Sequence, residues 1–251
     1  MIWDQLTSEN IKGLDHSIPA ILPVAATEQH GAHLPVATDR LIAEHFAFQT
    51  HTAVPEQVLI LPCVGIGCSN HHMDFSGTLT LTHHTFLKQV EEIIQSVFHH
   101  GFTKIIILNS HGGNQGAGQV LVEKLGHQYP DCDVIMTSWW QIARNELMDI
   151  TETGFGGVGH AGEFETSLMM LIAPELVHHQ KITSGKNQSV YNWAKADLLH
   201  GPAASWYRSM KQLTPNGIFG EPGAASVEKG KHITETVVRN ILNIIQDLQP
   251  R

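Results

Sequence analysis

The sequence predicts an α/β fold, a mostly parallel sheet with helices on both faces, as a single domain over residues 1–251 with a long excursion late in the chain. Three observations predict it. Short apolar runs alternate with helical patterns, as βαβ units require. The runs are almost continuously apolar, as strands covered on both faces are. A chain of 251 residues that is 42% hydrophobic and 16% charged is globular and long enough to bury a large core.

The strands are expected at 20–26 (AILPVAA), 58–64 (VLILPCV), 104–109 (KIIILN) and 133–137 (DVIMT), each rich in Val, Ile or Leu or bounded by turn residues. Helices are expected at 39–50, 82–100, 115–129, 163–172 and 226–248. The second is the clearest, with Phe86, Leu87, Val90, Ile93, Ile94, Val97 and Phe98 at three- and four-residue steps. The segment 181–222 is polar with scattered Trp193, Trp206 and Tyr207. It reads as an excursion that covers a site or an interface. The aromatics and the last helix suit either an oligomer interface or the core.

Composition narrows the partners. The net charge is −9, which provides no electrostatic footprint for nucleic acid or an anionic membrane. No apolar run approaches the roughly 20 residues of a membrane helix, and the N-terminal residues lack the basic and apolar regions of a signal peptide. Cys63, Cys68 and Cys132 are too few and odd in number for a disulfide framework, so a cytoplasmic setting is expected. The 18 His stand out, several in pairs such as His71–His72. Histidine is the commonest metal ligand, although a paired surface His is ordinarily just solvated.

In open parallel sheets ligands collect at the carboxyl ends of the strands. Three such junctions carry chemistry. The first holds Glu28, His30 and Asp39; Glu28 and His30 share a side in extended chain, while Asp39 serves equally well as a helix cap. The second holds His111 followed by Gly112 and Gly113, where backbone can approach a ligand closely. At the third, His160 and Glu163 are three apart at a helix start, the spacing that recurs in dinuclear carboxylate sites. Glu165 falls on another face, as an acceptor behind the ligands or a carboxylate favoured by the helix dipole. Three carboxylates and three His at three junctions suit Zn²⁺ or Mn²⁺.

The strings EQHGAHLPVATD, DFSGTLTL, LNSHGGNQG and GHAGEFETSLMM resemble the creatininase (creatinine amidohydrolase) family. The resemblance implies a Rossmann-like layered fold, often hexameric, that hydrolyses amide-type C–N bonds with a metal-activated water. It implies two divalent ions per subunit, Zn and/or Mn with Fe possible, on Glu28, His30, Asp39 and His111. Asp39 would bridge, Glu28 and His111 would hold one ion, and His30 the other. It makes His160 the general acid/base and places Ser69, His72 and Trp140 along the substrate pocket, where loop polar groups and a packed aromatic are the plainer reading. Creatininase proper has its fifth ligand, a Glu, where this chain has Gly113, so Glu163 is expected to supply it. The aromatic residues that box creatinine are absent around Gly112 and 155–159, which points to another small amide, formamide or peptide-like substrate.

Other classes fit less well. A non-catalytic metal-binding protein could use the same ligands but needs no His160. The Gly112–Gly116 turn is not the dinucleotide fingerprint, and Ser110 does not sit in a nucleophile elbow.

Overall fold

The structure, a computed structural model, describes residues 1–185 and 191–249. Four strands, β1 (Ala20–Val24), β2 (Leu59–Ile60), β3 (Lys104–Asn109) and β4 (Asp133–Ser138), form one sheet in the order β2-β1-β3-β4, parallel throughout. The helices are α1 (Ser8–Lys12), α2 (Thr38–Ala53), α3 (His83–His99), α4 (Gln115–Gln128), α5 (Trp139–Ile142), α6 (Arg144–Ile150), α7 (Glu163–Ile172), α8 (Met210–Leu213) and α9 (Val227–Asp247). The expected α/β class and parallel sheet are what the chain adopts. The excursion is also present, as irregular chain broken by one short 3₁₀ turn and α8; its residues 186–190 lie outside the described ones.

Strand alternation sorts the core into two layers. Ile21, Ile106 and Leu108 face one way and pack with α2, α7 and α9; Leu22, Val24, Ile105 and Ile107 face the other and pack with α3 and α4. The last helix belongs to the first layer, with Ile233, Val237, Ile241 and Ile245 at four-residue steps and fully buried.

The second strand is much shorter than expected. The predicted span 58–64 pairs only at Leu59 and Ile60 and meets β1 again at an isolated Val24–Val64 bridge. Ile21 faces Ile60 but Val24 faces Val64, so one extra residue is accommodated between them, as in a bulge. The cause is Pro62, which has no N–H for the ladder, next to a strand that carries its own Pro23.

Glu163 does not point toward the strand ends. It is fully buried at the first turn of α7, where it accepts from Thr151, Thr153 and the Glu152 N–H and pairs with the buried Lys229 of α9. Lys229 also donates to the Ala224 carbonyl. This network fastens the 151–153 loop and α9 to the start of α7. Removing one partner of a buried pair leaves the other charge uncompensated. Glu163→Gln is therefore expected to lose about 3 kcal/mol of unfolding free energy, read from its urea midpoint; an unchanged midpoint would remove the pair from this role.

His45 of α2 meets Thr234 Oγ1 of α9 at 3.0 Å, and burial lowers its pKa to about 4. The unfolded chain binds this proton below about pH 6.5 while the folded chain does not until about pH 4. Its effect on stability is thus absent above pH 6.5 and becomes a loss as pH falls from 6.5 to 4. His45→Gln should flatten the acid limb of the stability curve by about 1–3 kcal/mol across that window, measured by urea titrations at several pH values.

Candidate metal centre

The site forms where β1, β3 and the chain after β2 reach their carboxyl ends. Beyond β1 the backbone delivers Glu28 and His30, and Asp39 comes from the first turn of α2. Beyond β3, the Asn109 side chain accepts from the His111 N–H and donates to the His111 carbonyl, which fixes the turn carrying that ring. Glu28, His30, Asp39 and His111 are all buried.

Each imidazole has an outer and an inner nitrogen. His30 Nδ1 donates to the Glu28 carbonyl at 3.1 Å, so Nε2 turns inward, 3.0 Å from Asp39 Oδ1 and 3.7 Å from Glu165 Oε2. His111 Nε2 donates to the Cys68 carbonyl at 3.2 Å, so Nδ1 turns inward, 3.3 Å from Glu28 Oε1 and 3.2 Å from Asp39 Oδ2. The two oxygens of Asp39 thus face different histidines. An outer nitrogen committed to a backbone carbonyl is how metal-ligating histidines are usually oriented.

The charges follow from burial and proximity. Burial alone would raise Glu28, but His111 and His72 beside it hold its carboxyl well below the usual range. Burial opposes charging His30, yet Asp39, Glu165 and Glu28 raise it to about 9; His111 is raised in the same way. Burial raises Glu165 to about 7. Three carboxylates without bulk solvent therefore draw positive charge to this spot. Glu28 Oε2 still has no hydrogen-bond partner among the described residues, and Asp39 Oδ2 has only the ion-pair approach of His111 Nδ1 without hydrogen-bond geometry, although buried polar atoms nearly always have a partner. Donor type, burial and orphaned oxygens all fit divalent cations.

His160 lies beside this cluster. Its Nε2 donates to the Gln29 carbonyl at 2.7 Å, which leaves Nδ1 inward, 3.5 Å from Glu28 Oε1. Burial and the nearby His30 lower its pKa well below the ordinary value, so Nδ1 carries a free lone pair. The ring is not on a helix. It precedes α7, and Ala161 between them takes a φ of 53°, a left-handed conformation that costs a non-glycine residue roughly 1–2 kcal/mol. The helical spacing read between His160 and Glu163 does not exist, since the helix begins at Glu163.

Two residues of helical phase separate the two glutamates of this turn. Glu163 and Glu165 leave α7 on opposite sides. Glu163, expected from the sequence to supply a ligand, is engaged by Lys229 as described, and Glu165 Oε2 is the carboxylate oxygen that lies near His30. Clusters able to hold an ion include His30, His160 and Glu165, and none of them contains Glu163. Gly113 shows why no ligand comes from that position. A Cβ there would lie 2.5 Å from His111 Nε2 and collide with the Cys68 carbonyl.

The remaining predicted residues divide. Ser69 Oγ is 3.3 Å from His111 Nε2, behind the ring and away from the carboxylates. His72 Nε2 is 3.3 Å from Glu28 Oε1, and its Nδ1 accepts from the Gln29 amide at 3.0 Å. Trp140 is buried and lines the same inner cavity of about 120 Å³ as Glu28, Asp39 and His111. Sequence reasoning missed Gln29, whose side chain also accepts from Gly31 and donates to the Gly217 carbonyl. It also missed the role of His71, which stacks on His111 at 5.6 Å and groups with Glu28; the His71–His72 pair was its only signal. The inner cavity continues into an outer one of about 320 Å³ roofed by residues of the excursion, with His71, Gly112, His160, Leu198 and Met210 on both.

Comparison with known proteins gives the family and the fold. A mycofactocin precursor peptide peptidase of Mycobacterium ulcerans is 26% identical over 257 residues, covering 99% of this chain and 93% of the relative. The creatinine amidohydrolase of Pseudomonas putida is 27% identical over 252 residues, covering 92% and 89%. Creatininase structures in a Zn-Zn and a Mn form share the fold, with TM-scores of 0.83 and 0.79 at 22% and 24% identity, covering all of this chain and 98% and 99% of theirs. The family model described as creatinine amidohydrolase matches residues 4–245, and the chain belongs to the creatininase family of amidohydrolases.

Proposed function

We propose that this chain hydrolyses an amide-type C–N bond, in a cyclic amide, formamide or peptide-like substrate, at a centre for two divalent ions. The carrying observation is the pair of orphaned carboxylate oxygens on Glu28 and Asp39, set among inward-turned histidine nitrogens. Glu28, His111 and one oxygen of Asp39 would hold one ion; the other Asp39 oxygen, His30 and Glu165 would hold the second. Zn²⁺ and Mn²⁺ suit these donors, and Fe²⁺ is compatible. Such ions supply an acidified water and polarise a carbonyl oxygen.

The protein's own groups do the rest. His160 Nδ1 takes a proton from the attacking water and returns it to the leaving nitrogen, while the Gln29 carbonyl keeps Nε2 protonated and the ring in register. His72, locked by the Gln29 amide, directs its Nε2 proton at Glu28 and keeps that carboxylate oriented. A protein that only stored metal would need neither an inward lone pair on His160 nor a cavity leading to it. We read residues 1–251 as one working domain in a cytoplasmic homo-oligomer, a hexamer being favoured. Exposed Tyr191, Trp193 and Tyr207 support an interface. Among the described residues no helix is long and apolar enough to cross a membrane.

Elemental analysis tests the centre. The wild type and Glu163→Gln should carry close to two divalent ions per chain, His111→Ala and Glu165→Gln markedly fewer. A wild type that is metal-free and takes up neither Zn²⁺ nor Mn²⁺ would sink the mechanism. With a substrate in hand, His160→Gln should keep its metal and lose about 10²- to 10⁴-fold in kcat; full activity would assign the proton transfer elsewhere.

A further inference from the structure

The outer cavity contains one group that the hydrolytic machinery leaves unused. Arg208, half-buried in the excursion, lines it. Its guanidinium lies over the Trp206 ring, 4.6 Å from the centroid, and its buried Nε has no hydrogen-bond partner. Among the described residues the arginine ion pairs belong to Arg40 and Arg239. Among the described residues the carboxylate on the same wall, Asp197, is already taken. It accepts from the N–H groups of Gly156, Leu199 and His200 and from the His200 ring, at 2.7–2.9 Å. The wall around Arg208 is otherwise largely apolar, including Leu198, Pro202, Leu213 and Phe219.

An arginine stacked on an aromatic face keeps its edge donors free, and that fork matches a carboxylate in two parallel hydrogen bonds. Among the described residues no carboxylate pairs with this guanidinium, and a cation against an apolar wall is poorly solvated, so an anionic ligand gains more there than at an open surface. The cavity shares His160 with the inner one. One molecule that fills both cavities can therefore meet Arg208 with its anion and His160 with its scissile bond.

We propose that Arg208 is the carboxylate receptor of the substrate cavity, and that the substrate is an N-acyl amino acid or short peptide bearing a free carboxylate and an apolar side chain. The substrate class rests on the hydrolytic reading above; the receptor does not. The planar carboxylate matches the planar fork, and the apolar wall accepts the neighbouring side chain.

The test uses N-formyl-L-leucine and its neutral counterpart N-formyl-L-leucinamide. Both are titrated calorimetrically into the full chain loaded with Zn²⁺, in a His160→Gln background to slow turnover, with and without Arg208→Gln. The acid is expected to bind about 10- to 100-fold more tightly than the amide. Arg208→Gln should abolish that preference while leaving the amide's affinity unchanged, and Arg208→Lys should restore part of it. Metal content is measured on every sample. Equal binding of acid and amide overturns the proposal, as does no measurable binding of either. A preference that survives in Arg208→Gln also overturns it, because the carboxylate is then held elsewhere, for example by the ions. Release of formate by wild-type protein is followed separately. Its absence, with the Arg208-dependent preference intact, would remove the hydrolytic reading and leave the receptor standing.

Discussion

The site depends on one electrostatic constraint: Glu28, Asp39 and Glu165 are brought together where water does not reach them in bulk. Carboxylates in such a place are stable only if they are protonated or given positive charge. The chain does both. Glu165 is pushed toward neutrality, while His30 and His111 are pushed toward the imidazolium form. The surrounding hydrogen bonds can be understood as means of holding the two rings where their inner nitrogens meet the carboxylates. Cys68 and Ser69 stand behind His111, and the Glu28 carbonyl stands behind His30.

That constraint needs a rigid frame, and the start of α7 supplies one side of it. Glu163 and Lys229 tie this helix to α9 and to the 151–153 loop, so Glu165 two residues later has one orientation. Tight backbone packing adds to this. Gly162 and Gly220 approach so closely that a Cβ on Gly220 would lie 2.7 Å from the Gly162 Cα. The strained Ala161 sits between these fixed points. A left-handed alanine persists only where its surroundings over-determine it, and here it turns His160 inward while the helix carries Glu165 to the same place.

Much of this was legible in the sequence. The strands and the long helices are set by apolar periodicity, and the parallel order follows from their alternation, so Glu28, His30, Asp39 and His111 could be placed at strand ends. The failures share a cause: they depend on backbone details of one or two residues. Pro62 interrupts a run whose composition reads as a full strand. Ala161 breaks a helical spacing that reads naturally between His160 and Glu163, and the choice between Glu163 and Glu165 turns on it. Gln29 was invisible because extended-chain alternation sends it away from Glu28 and His30. Its amide instead reaches His72 and Gly217, partners remote in sequence.

The two cavities divide the labour between sheet and excursion. The inner cavity is built from strand ends and the first turns of helices, where positions are fixed by the core. The outer one is built from irregular chain lying over it, where side chains can change without disturbing the sheet. Binding groups on such a roof reach only the part of a ligand that does not react, so they can select a substrate without altering the bond-breaking geometry below. Gly112 and Gly159 show the same division. At Gly159 a side chain would collide with the Phe219 carbonyl, whereas at Gly112 a Cβ would meet open space. Gly159, on the outer cavity alone, is thus held by backbone packing, while Gly112, which lines both cavities, leaves room for a side chain.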